Sequence, residues 1–471
     1  MTALWSPAEL TAALGVSPSA PLGAAIEGVS IDSRTLNPGD LFIAIKGAAH
    51  DGHDHVARAF EAGAEAAVVA REHAGRLAAL GPLFPVGDPL TAMGRLGVVA
   101  RARSKARIVA VTGSVGKTTV KEMLREMLAA CGPTHASAHS YNNHWGVPLT
   151  LARMPAGARF GVLEIGMNHA GEITPLTRMA RPHAALVTTI APVHTEFLGS
   201  IEAVADAKAE IFLGLEPGGA AVINRDAPQF ERLARAAGAL GARILKFGHG
   251  GDCDAQLMAV EGVGSGARVS ARVLGRKLTF VLGAPGVHMA ENALGALLSA
   301  EALGADLDAC TAALARFSPQ QGRGARFSVE TPDGPAIIID ESYNANPASM
   351  RAALALLAET KPGPKGRRIA VIGDMLELGP KAEAMHVELV PALSASRVDL
   401  LFGAGPLTRA LYDAAPASMR AGWAERSNDL TDEVARALRG GDIAMVKGSN
   451  GSRMGPLVAA LRDRFDRRAG G

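Results

Sequence analysis

The sequence predicts an α/β protein built from three domains. Short runs of β-branched residues, typical of parallel strands buried on both faces, alternate with helical patterns from residue 107 onward. A length of 471 residues accommodates about three domains, and 48% hydrophobic residues exclude an intrinsically disordered chain. We therefore expect a small mixed α/β domain over 1–106, a central doubly wound parallel sheet with a β-hairpin insertion over 107–318, and a Rossmann-like domain over 319–471.

The individual elements follow in chain order. Residues 40–45 and 66–70 predict strands in the first region, and 56–63 predict a helix that ends at a glycine. In the central region, strands are expected over 107–113, 162–165, 184–190 and 220–224, and a period-two pattern between 252 and 282 predicts the hairpin. After a linker at 318–322, strands are expected over 337–340, 369–373, 400–403 and 443–447, with a helix over 347–360.

Composition and charge exclude several classes of function. Lys and Arg (48) nearly balance Asp and Glu (46), and aromatic residues make up only 4%, so nucleic-acid binding is disfavoured. No apolar run reaches the ~18 residues of a membrane span, and a signal peptide is not expected because the first basic residue is Arg34. The three cysteines are far apart, which argues against a disulfide framework or a structural zinc site. We expect a cytoplasmic protein without membrane insertion.

The stretch IVAVTGSVGKTTVKEMLREML places a glycine loop between a buried strand and an amphipathic helix. Backbone N–H groups and the positive end of a helix bind anions at such a loop. The Lys117 ammonium would reach the β- and γ-phosphates of a nucleotide, and the Thr118 hydroxyl could ligate Mg²⁺. A chance glycine-rich turn is the alternative, because Val111 stands at the first glycine of the full P-loop pattern. The flanking strand and helix favour a nucleotide site formed by Gly113, Ser114, Val115, Gly116, Lys117, Thr118 and Thr119.

Glu164 comes near the end of the apolar run FGVLEI, so its carboxylate should stand at the carboxyl end of a neighbouring strand. Open α/β sheets bind ligands at that edge, and Mg²⁺ that bridges phosphates needs hard oxygen ligands. A solvated strand end is the alternative for an isolated glutamate. The polar, glycine-containing segment GMNHAGE that follows favours the functional interpretation.

Several motifs recur in a fixed order: TGSVGKTTVKEML, YNNHWGVPLTL, EIGMNHAGEI, VHTEFLGS, AKAEIF, HMAENALGA, DESYNANPASM, GDMLELG and VKGS. Together with the N-terminal segment DSRTLNPGDLFIAIKG, the chain resembles the Mur ligases, ATP-dependent enzymes that form amide bonds in peptidoglycan precursors. The segments DESYNANP and GDMLELG are similar to those of the member that adds D-alanyl-D-alanine. The DYAHTP-type and DNPR-type motifs of the sister ligase that adds the third peptide residue do not occur.

This resemblance implies that ATP phosphorylates the carboxylate of a UDP-N-acetylmuramoyl-tripeptide and that the amine of D-alanyl-D-alanine attacks the acyl phosphate. It implies a monomer, two Mg²⁺ ions and a reaction centre formed by Lys117, Glu164, His194 and Lys208. Thr118 and the last three of these would hold the metal, with Lys208 as a carbamate because a free ammonium would repel Mg²⁺. The pattern alone would make His194 a surface histidine and Lys208 an exposed helical lysine.

The resemblance also assigns ligand contacts outside this centre. Asn292, Arg323 and Asp340 would contact the nucleotide. The residues implied to contact the other substrates are Asp32, Ser33, Arg34, Lys46, Gly47, His53, Asn143, Tyr343, Asn344, Asn346 and Lys447. Helix capping explains Asn346 equally well, because Pro347 follows it. After VKGS the family commonly has Arg and later Met-Glu, whereas this chain has Asn450 and Met454-Gly455, so the contacts to the amine substrate stay open.

Two other functions stay open at this point. The sister ligase is one of them. The other is a P-loop switch ATPase, which would need neither a uridine-nucleotide segment nor a lysine carbamate. ATPase assays with each amino substrate offered in turn would distinguish the three.

Overall fold

The computed structural model describes residues 3–47, 50–192 and 195–469. Within these ranges the strands form three sheets, in residues 28–86, 107–282 and 325–447. The predicted α/β class with three domains is confirmed. The domain boundaries at 106/107 and 318/319 stay predictions. Over the part of the chain that is described, no helix combines the length and the apolar character needed to cross a membrane.

The N-terminal sheet has four parallel strands in chain order: β1 (Gly28–Ser30), β2 (Asp40–Ile43), β3 (Ala66–Ala70) and β4 (Leu83–Val86). Its helices are α1 (Pro7–Leu14), α2 (Val56–Glu61), α3 (Arg71–Leu77) and α4 (Pro89–Arg103). α1 begins with a capping box, in which Ser6 Oγ accepts from Glu9 N and the Glu9 carboxylate accepts from Ser6 N. α1 and α4 cover one face of the sheet, and α2 and α3 cover the other.

The central sheet has nine strands in the order β13-β12-β11-β10-β9-β8-β5-β7-β6. They are β5 (Arg107–Thr112), β6 (Thr134–Ala136), β7 (Phe160–Glu164), β8 (Ala184–Val187), β9 (Ala220–Asn224), β10 (Arg243–Gly248), β11 (Ala255–Val263), β12 (Gly266–Val273) and β13 (Arg276–Leu282). The helices are α5 (Lys117–Ala129), α6 (Gly146–Ala152), α7 (Ile173–Ala180), α8 (Thr195–Leu198), α9 (Ile201–Ala209), α10 (Phe230–Gly238), α11 (Val287–Ala302) and α12 (Leu307–Leu314).

Helices cover both faces of this sheet, as a doubly wound fold requires. α5, α11 and α12 pack on one face, and α6, α7, α9 and α10 pack on the other. Leu149 and Ala152 of α6 also belong to the core beneath the N-terminal sheet, and Trp5 Nε1 donates to Ala152 O at 2.9 Å. The N-terminal unit is therefore fixed to the central sheet through α6.

The segment predicted as a hairpin is larger than expected and extends the main sheet. β11 pairs in parallel with β10, and β12 and β13 follow as an antiparallel meander. The period-two pattern arises because inward-facing positions such as Val269, Ala271 and Val273 belong to the same core as α11, while intervening residues face solvent.

The C-terminal sheet has six strands in the order β14-β15-β19-β16-β17-β18, and only the β14–β15 pair is antiparallel. They are β14 (Ala325–Thr331), β15 (Gly334–Glu341), β16 (Arg368–Gly373), β17 (Leu400–Ala404), β18 (Arg420–Ala424) and β19 (Ile443–Lys447). The helices are α13 (Pro347–Glu359), α14 (Ala382–Val387), α15 (Val390–Ala395), α16 (Thr408–Ala414), α17 (Thr431–Ala437) and α18 (Met454–Ala469). The sequence analysis did not predict β14 and β18, the two edge strands.

Candidate active site

The glycine loop runs from the end of β5 into α5. Gly113 has φ 145° and Gly116 has φ 85°, a region of backbone conformation that L-residues rarely adopt. A Cβ on Gly113 would lie 1.9 Å from Thr188 Oγ1, and one on Gly116 would lie 2.9 Å from Asn292 Oδ1. Both glycines are therefore required by conformation and by space. The first N–H groups of α5 have no partner within the helix, which makes this end of the helix an anion site.

Glu164 is the last residue of β7 and is only 1% exposed. Its Oε2 accepts a hydrogen bond from Thr118 Oγ1 at 2.8 Å, and its Oε1 accepts one from Asn142 Nδ2 at 2.8 Å. The hydroxyl and the carboxylate predicted as oxygen ligands thus meet at one point beside the glycine loop. Asn142 holds the carboxylate from the other side and is missing from the predicted site.

Two lysines near this point differ in exposure: Lys117 is half-buried in the cleft and Lys208 is buried. Lys117 donates from Nζ to Gly113 O at 2.7 Å, and Lys208, near the end of α9, is 1% exposed. Burial lowers the pKa of the Lys117 ammonium, while Glu164 opposes this shift and Arg323 reinforces it. Burial lowers the pKa of Lys208 well below its usual value, and the charge of Lys117 adds to the shift. Lys208 is thus not the exposed helical lysine that the pattern alone predicts.

The segment that follows β8 packs against the glycine loop. Ser114 N donates to Thr189 O at 2.8 Å, and Ser114 Oγ donates to Ala191 O at 3.1 Å. Thr188 Oγ1 donates to Val115 O. His194 comes three positions after Ala191 but lies outside the described residues, so its place in the site stays a prediction.

A loop between β6 and α6 is anchored by a lysine that the sequence analysis did not assign. Lys121 lies on α5 and has no exposed surface. Its Nζ donates to Ser137 O and to His139 O, each at 2.9 Å, and pairs with the Glu122 carboxylate. The only signal in the sequence is a lysine among the apolar positions of α5, which does not reveal a partner 16 or 18 residues away.

Arg323 reaches this loop from the C-terminal sheet. Its Nη2 donates to Ser140 Oγ at 3.2 Å, and its guanidinium stacks on the Tyr343 ring at 3.8 Å from the ring centre. Ser140 Oγ also lies 3.3 Å from Thr118 Oγ1. One serine therefore contacts both the glycine-loop threonine and an arginine of the C-terminal part.

The carboxyl ends of β15 and β19 supply a buried ion pair. Lys447 is 3% exposed, and its Nζ lies 3.3 Å from Glu341 Oε2 and donates to Asn344 O at 2.9 Å. His288, at the start of α11, faces the same pair. Burial lowers the pKa of the His288 imidazole, and the Glu341 charge opposes the shift.

Asp340 does not line the same cleft as the glycine loop, and its expected contact with the nucleotide stays a prediction. Its carboxylate accepts hydrogen bonds from Gly322 N at 2.8 Å, Ser342 N at 3.1 Å and Ser342 Oγ at 2.6 Å, and it faces a separate cleft near the start of α18. Side chains alternate along a strand, so the next residue, Glu341, lines the main cleft instead.

The main cleft gathers most of the predicted nucleotide residues. Its lining includes Ser114, Val115, Gly116, Lys117, Thr118, Thr119, Glu164, Asn292, Arg323, Tyr343, Asn344, Asn346 and Lys447. Asn346 also caps α13, where its Oδ1 accepts from Ser349 N at 2.9 Å. Asn346 therefore caps α13 and also lines the main cleft. Lining residues that were not predicted from the sequence include Ser140 and Glu341.

A second cleft lies at the ends of β1 and β2. It is lined by Asp32, Ser33, Arg34 and Gly47 together with Tyr141 and Trp145 of the central region. Arg34 Nη2 lies 2.7 Å from Asp32 Oδ2, and this hydrogen-bonded pair lowers the pKa of Asp32 to about 2. An arginine and a hydroxyl beside loop N–H groups are suited to an anionic ligand.

Three predicted substrate residues are sequence neighbours of that lining but do not belong to it. His53 is 2% exposed, its Nδ1 lies 2.5 Å from Asp51 Oδ1, and its Nε2 accepts from the backbone at the end of β3. Lys46 is exposed and pairs through its backbone with Asp51. Asn143 Oδ1 accepts from Gly146 N at 3.0 Å and so caps α6. Each has a local structural role that its sequence position does not reveal.

Three family models match the chain in order. They are described as "Mur ligase family, catalytic domain" over residues 25–127, "Mur ligase middle domain" over 111–300, and "Mur ligase, glutamate ligase domain" over 325–450. Together these matches include all of the central sheet and most of the main cleft, whereas Arg323 lies between the second and the third match.

Curated relatives and solved structures agree with these models. The chain is 35% identical to the UDP-N-acetylmuramoyl-tripeptide–D-alanyl-D-alanine ligase of Escherichia coli, over 93% of this chain and 94% of the relative. It is 33% identical to the ligase of the same name from Bacillus subtilis, over 93% of each chain. The structure of MurF from Acinetobacter baumannii superposes with a TM-score of 0.84 at 27% identity, over 98% of this chain and 99% of that one.

Proposed function

The chain belongs to the Mur ligase family, and from this premise we propose that it joins D-alanyl-D-alanine to a UDP-N-acetylmuramoyl-tripeptide while ATP is converted to ADP and phosphate. The observation that carries the proposal is one cleft in which the glycine loop, the Thr118–Glu164 pair and Lys447 face each other. The names of the relatives from Escherichia coli and Bacillus subtilis support D-alanyl-D-alanine as the amine substrate within this family.

The chemistry requires that an unreactive carboxylate become an electrophile. Transfer of the γ-phosphoryl group of ATP to the tripeptide carboxylate forms an acyl phosphate, which the dipeptide amine attacks to release phosphate. Phosphoryl transfer is catalysed mainly by positioning and by stabilisation of charge. The glycine-loop N–H groups hold the phosphates, and the Lys117 ammonium gains the anionic partner that compensates its burial.

The residues beside the glycine loop fit a magnesium site. Thr118 and Glu164 offer hard oxygen donors within 2.8 Å of each other, which is the donor type that Mg²⁺ prefers. We propose that these two hold one Mg²⁺, and that His194 and Lys208 contribute to a second. When bound, Mg²⁺ neutralises charge that develops on the transferred phosphoryl group. Asn142 fixes the orientation of the Glu164 carboxylate by its hydrogen bond to Oε1.

We propose that Lys208 acts as a carbamate. Its burial and the repulsion by Lys117 favour the neutral amine, and only a neutral amine can add to carbon dioxide. The product carries a negative charge and two oxygen atoms, whereas the ammonium would repel a metal ion. Carbamate formation would therefore replace an unfavourable buried cation by an oxygen ligand.

The remaining contacts are proposed from where each side chain lies. Asn292 and Arg323 line the nucleotide cleft, whereas Asp340 acts on the nucleotide indirectly, through the loop that carries Arg323. The second cleft is proposed to hold the uridine diphosphate, with Ser33 and Arg34 as ligands. The residues proposed for the tripeptide and dipeptide are Tyr343, Asn344, Asn346 and Lys447.

A substrate-swap assay tests the assignment. Purified protein is given ATP and UDP-N-acetylmuramoyl-tripeptide with D-alanyl-D-alanine or, as matched control, with L-alanyl-L-alanine, and phosphate release and product mass are measured. We expect only the D-dipeptide to stimulate phosphate release and to add its mass to the UDP-linked product. ATP hydrolysis without incorporation would refute the ligase. Addition of a diamino acid to a UDP-N-acetylmuramoyl-dipeptide would instead identify the sister reaction.

We also propose that the enzyme acts as a monomer in the cytoplasm. The proposal is supported by the two clefts, which gather most of the proposed ATP and uridine-diphosphate ligands from the domains of a single chain. ATP and UDP-linked precursors are the substrates, which suits a cytoplasmic location.

A further inference from the structure

Two of the three cysteines face each other across two helices of the central domain. Cys131, just after the end of α5, and Cys310, on α12, are 179 positions apart, and their Sγ atoms are 3.9 Å apart. Their distance in the sequence argues against a pair, and only the packing of α5 against α12 brings them together.

The two thiols differ in access to solvent. Cys310 has no exposed surface, whereas Cys131 is half-buried. Burial raises the pKa of the Cys310 thiol well above its usual range, with a further contribution from Cys131. Since the thiolate is the reactive form, a small oxidant should attack Cys131 first.

The geometry leaves both sulfur atoms free to react with each other. Beyond their mutual contact, each sulfur makes a weak contact with a carbonyl oxygen, Cys131 Sγ at 3.8 Å from Asp306 O and Cys310 Sγ at 3.9 Å from Met127 O. A disulfide requires the sulfur atoms to approach to about 2.05 Å. The shift of about 2 Å is within the reach of side-chain rotation.

We propose that Cys131 and Cys310 form a peroxide-reactive pair, in which Cys131 is oxidised and Cys310 resolves it as a disulfide. In the first step the Cys131 thiolate attacks hydrogen peroxide, the O–O bond breaks, and a sulfenic acid and hydroxide form. In the second step the Cys310 sulfur attacks the Cys131 sulfur, the S–O bond breaks, and the oxygen leaves as water with the Cys310 proton. Two thiols lose two electrons, and one peroxide becomes two waters.

The pair protects the core beneath the phosphate loop. Cys310 belongs to the hydrophobic core that holds α5, and Cys131 packs against the same core. Without a resolving thiol, the Cys131 sulfenic acid would proceed to the sulfinic acid, which common reductants do not reverse. A disulfide stays within one packed unit and is reversible, so it prevents a permanent negative charge at the end of α5.

The test uses the full-length protein, reduced, freed of reductant and exposed to graded hydrogen peroxide. We expect the intact mass to fall by about 2 Da, with one thiol left to alkylate and a peptide map showing Cys131 bound to Cys310. Cys253, in the turn between β10 and β11, provides the control. Cys253→Ser should still cross-link fully, whereas Cys131→Ser should lose the cross-link.

A further variant tests whether Cys310 reacts with the Cys131 sulfenic acid or only lies near it. In Cys310→Ser, Cys131 should accumulate as sulfinic acid, and dithiothreitol should restore less than half of the Cys131 thiol, against nearly all of it in the wild type. Three free thiols in the peroxide-treated wild type would overturn the proposal, as would a cross-link through Cys253 or between two chains. If Cys310→Ser does not fold, the wild-type map and Cys131→Ser still decide the question.

Discussion

The two sheet edges that line the main cleft differ in how the buried lysines near them are compensated. Near the central edge, Lys208 of α9 is 1% exposed, and its pKa is lowered well below the usual value by burial and by the charge of Lys117. On the C-terminal edge, Lys447 is 3% exposed, but its Nζ lies 3.3 Å from Glu341 Oε2 and donates to Asn344 O. Lys447 is thus paired within the protein, whereas among the described residues no carboxylate compensates a charge on Lys208.

The strand-end carboxylates show the same contrast. Glu164 and Asp340 both come at the carboxyl end of a parallel strand. Within the described part of the chain, the Glu164 carboxylate lines the main cleft and accepts hydrogen bonds from the side chains of Thr118 and Asn142, whereas Asp340 holds its own loop through Gly322 and Ser342. We infer that the charged groups near the central edge serve the reaction and lower the stability of the fold, whereas those at the C-terminal edge hold its loops in place.

The largest effect is expected for Lys208. Lys208→Ala should lower the ligation rate by about 10³-fold or more, because the proposed oxygen ligand is lost. Acetate or formate should restore part of the rate by entering the cavity as a substitute oxygen ligand, and bicarbonate should not. The measurement is the rate of phosphate release with both substrates present, over a series of carboxylate concentrations.

Lys447→Ala is the matched control for this rescue. It leaves the half-buried Glu341 carboxylate without its partner, so it should lower the free energy of unfolding by about 1–2 kcal/mol, and carboxylates should not restore its activity. Equal rescue of both variants would contradict the difference between the two edges. Normal turnover in Lys208→Ala would show that the carbamate is wrong.

Glu164→Gln should give the next largest loss. The substitution keeps the shape of the side chain but removes the charge beside Thr118, so we expect kcat to fall by about 10²-fold and the Mg²⁺ requirement to rise. The thermal midpoint should stay within about 2 °C of the wild type, because both hydrogen-bond partners can still be engaged. If Glu164→Gln lowers stability but leaves kcat unchanged, Glu164 has a structural role like that of Asp340 and no role in the reaction.

These pairs also show how far the sequence alone reaches. The β-branched runs predict the buried strands, and the glycine loop is found between a strand and a helix, as predicted. Glu164 and Asp340 look alike in the sequence, because the face on which a strand-end side chain lies depends on a one-residue register that the pattern does not determine. The burial of Lys208 depends on packing between elements distant in the sequence, which no local pattern contains.

Lys121→Met tests the loop that presents Asn142 to Glu164. Two carbonyl oxygens lose their donor, so the free energy of unfolding should fall by about 2 kcal/mol and KM for ATP should rise about 10-fold. KM for the UDP-linked substrate should rise as well, because Tyr141 and Trp145 of the same loop line the second cleft. Steady-state kinetics with each substrate varied in turn, together with denaturant unfolding, provide the measurement.

Arg101→Met controls for a purely structural effect. Arg101 is also buried and donates to two carbonyl oxygens, Ala180 O at 2.8 Å and Arg181 O at 2.9 Å, at the opposite end of the central sheet. It should lose comparable stability without a change in KM for ATP. If Arg101→Met raises this KM as much as Lys121→Met does, the loop has no special role in the site.

Asp340→Asn should affect stability more than chemistry. The carboxylate uses one oxygen to accept from Gly322 N and the other to accept from Ser342. The amide of asparagine has only one oxygen, so one of these hydrogen bonds is lost, and we expect the free energy of unfolding to fall by about 2 kcal/mol. KM for ATP should rise a few-fold because the loop also carries Arg323, and kcat should stay close to the wild-type value. If kcat falls as much as in Glu164→Gln while stability is unchanged, Asp340 takes part in the reaction directly.

The smallest effect concerns Asp374, which follows β16 on the same C-terminal edge. Burial raises its pKa above the ordinary value, and its Oδ1 accepts from Thr408 N at 2.8 Å. Because the folded pKa exceeds the unfolded one, the folded state binds the additional proton between the two values. The wild type should therefore gain stability relative to Asp374→Asn as the pH falls through the folded pKa, by about 1 kcal/mol in total.

Denaturant unfolding of both proteins between pH 7 and about pH 4 measures this difference. If the stability difference between wild type and Asp374→Asn does not depend on pH, burial does not disfavour the charged form of Asp374. The contrast between the two edges would then depend on the lysines alone.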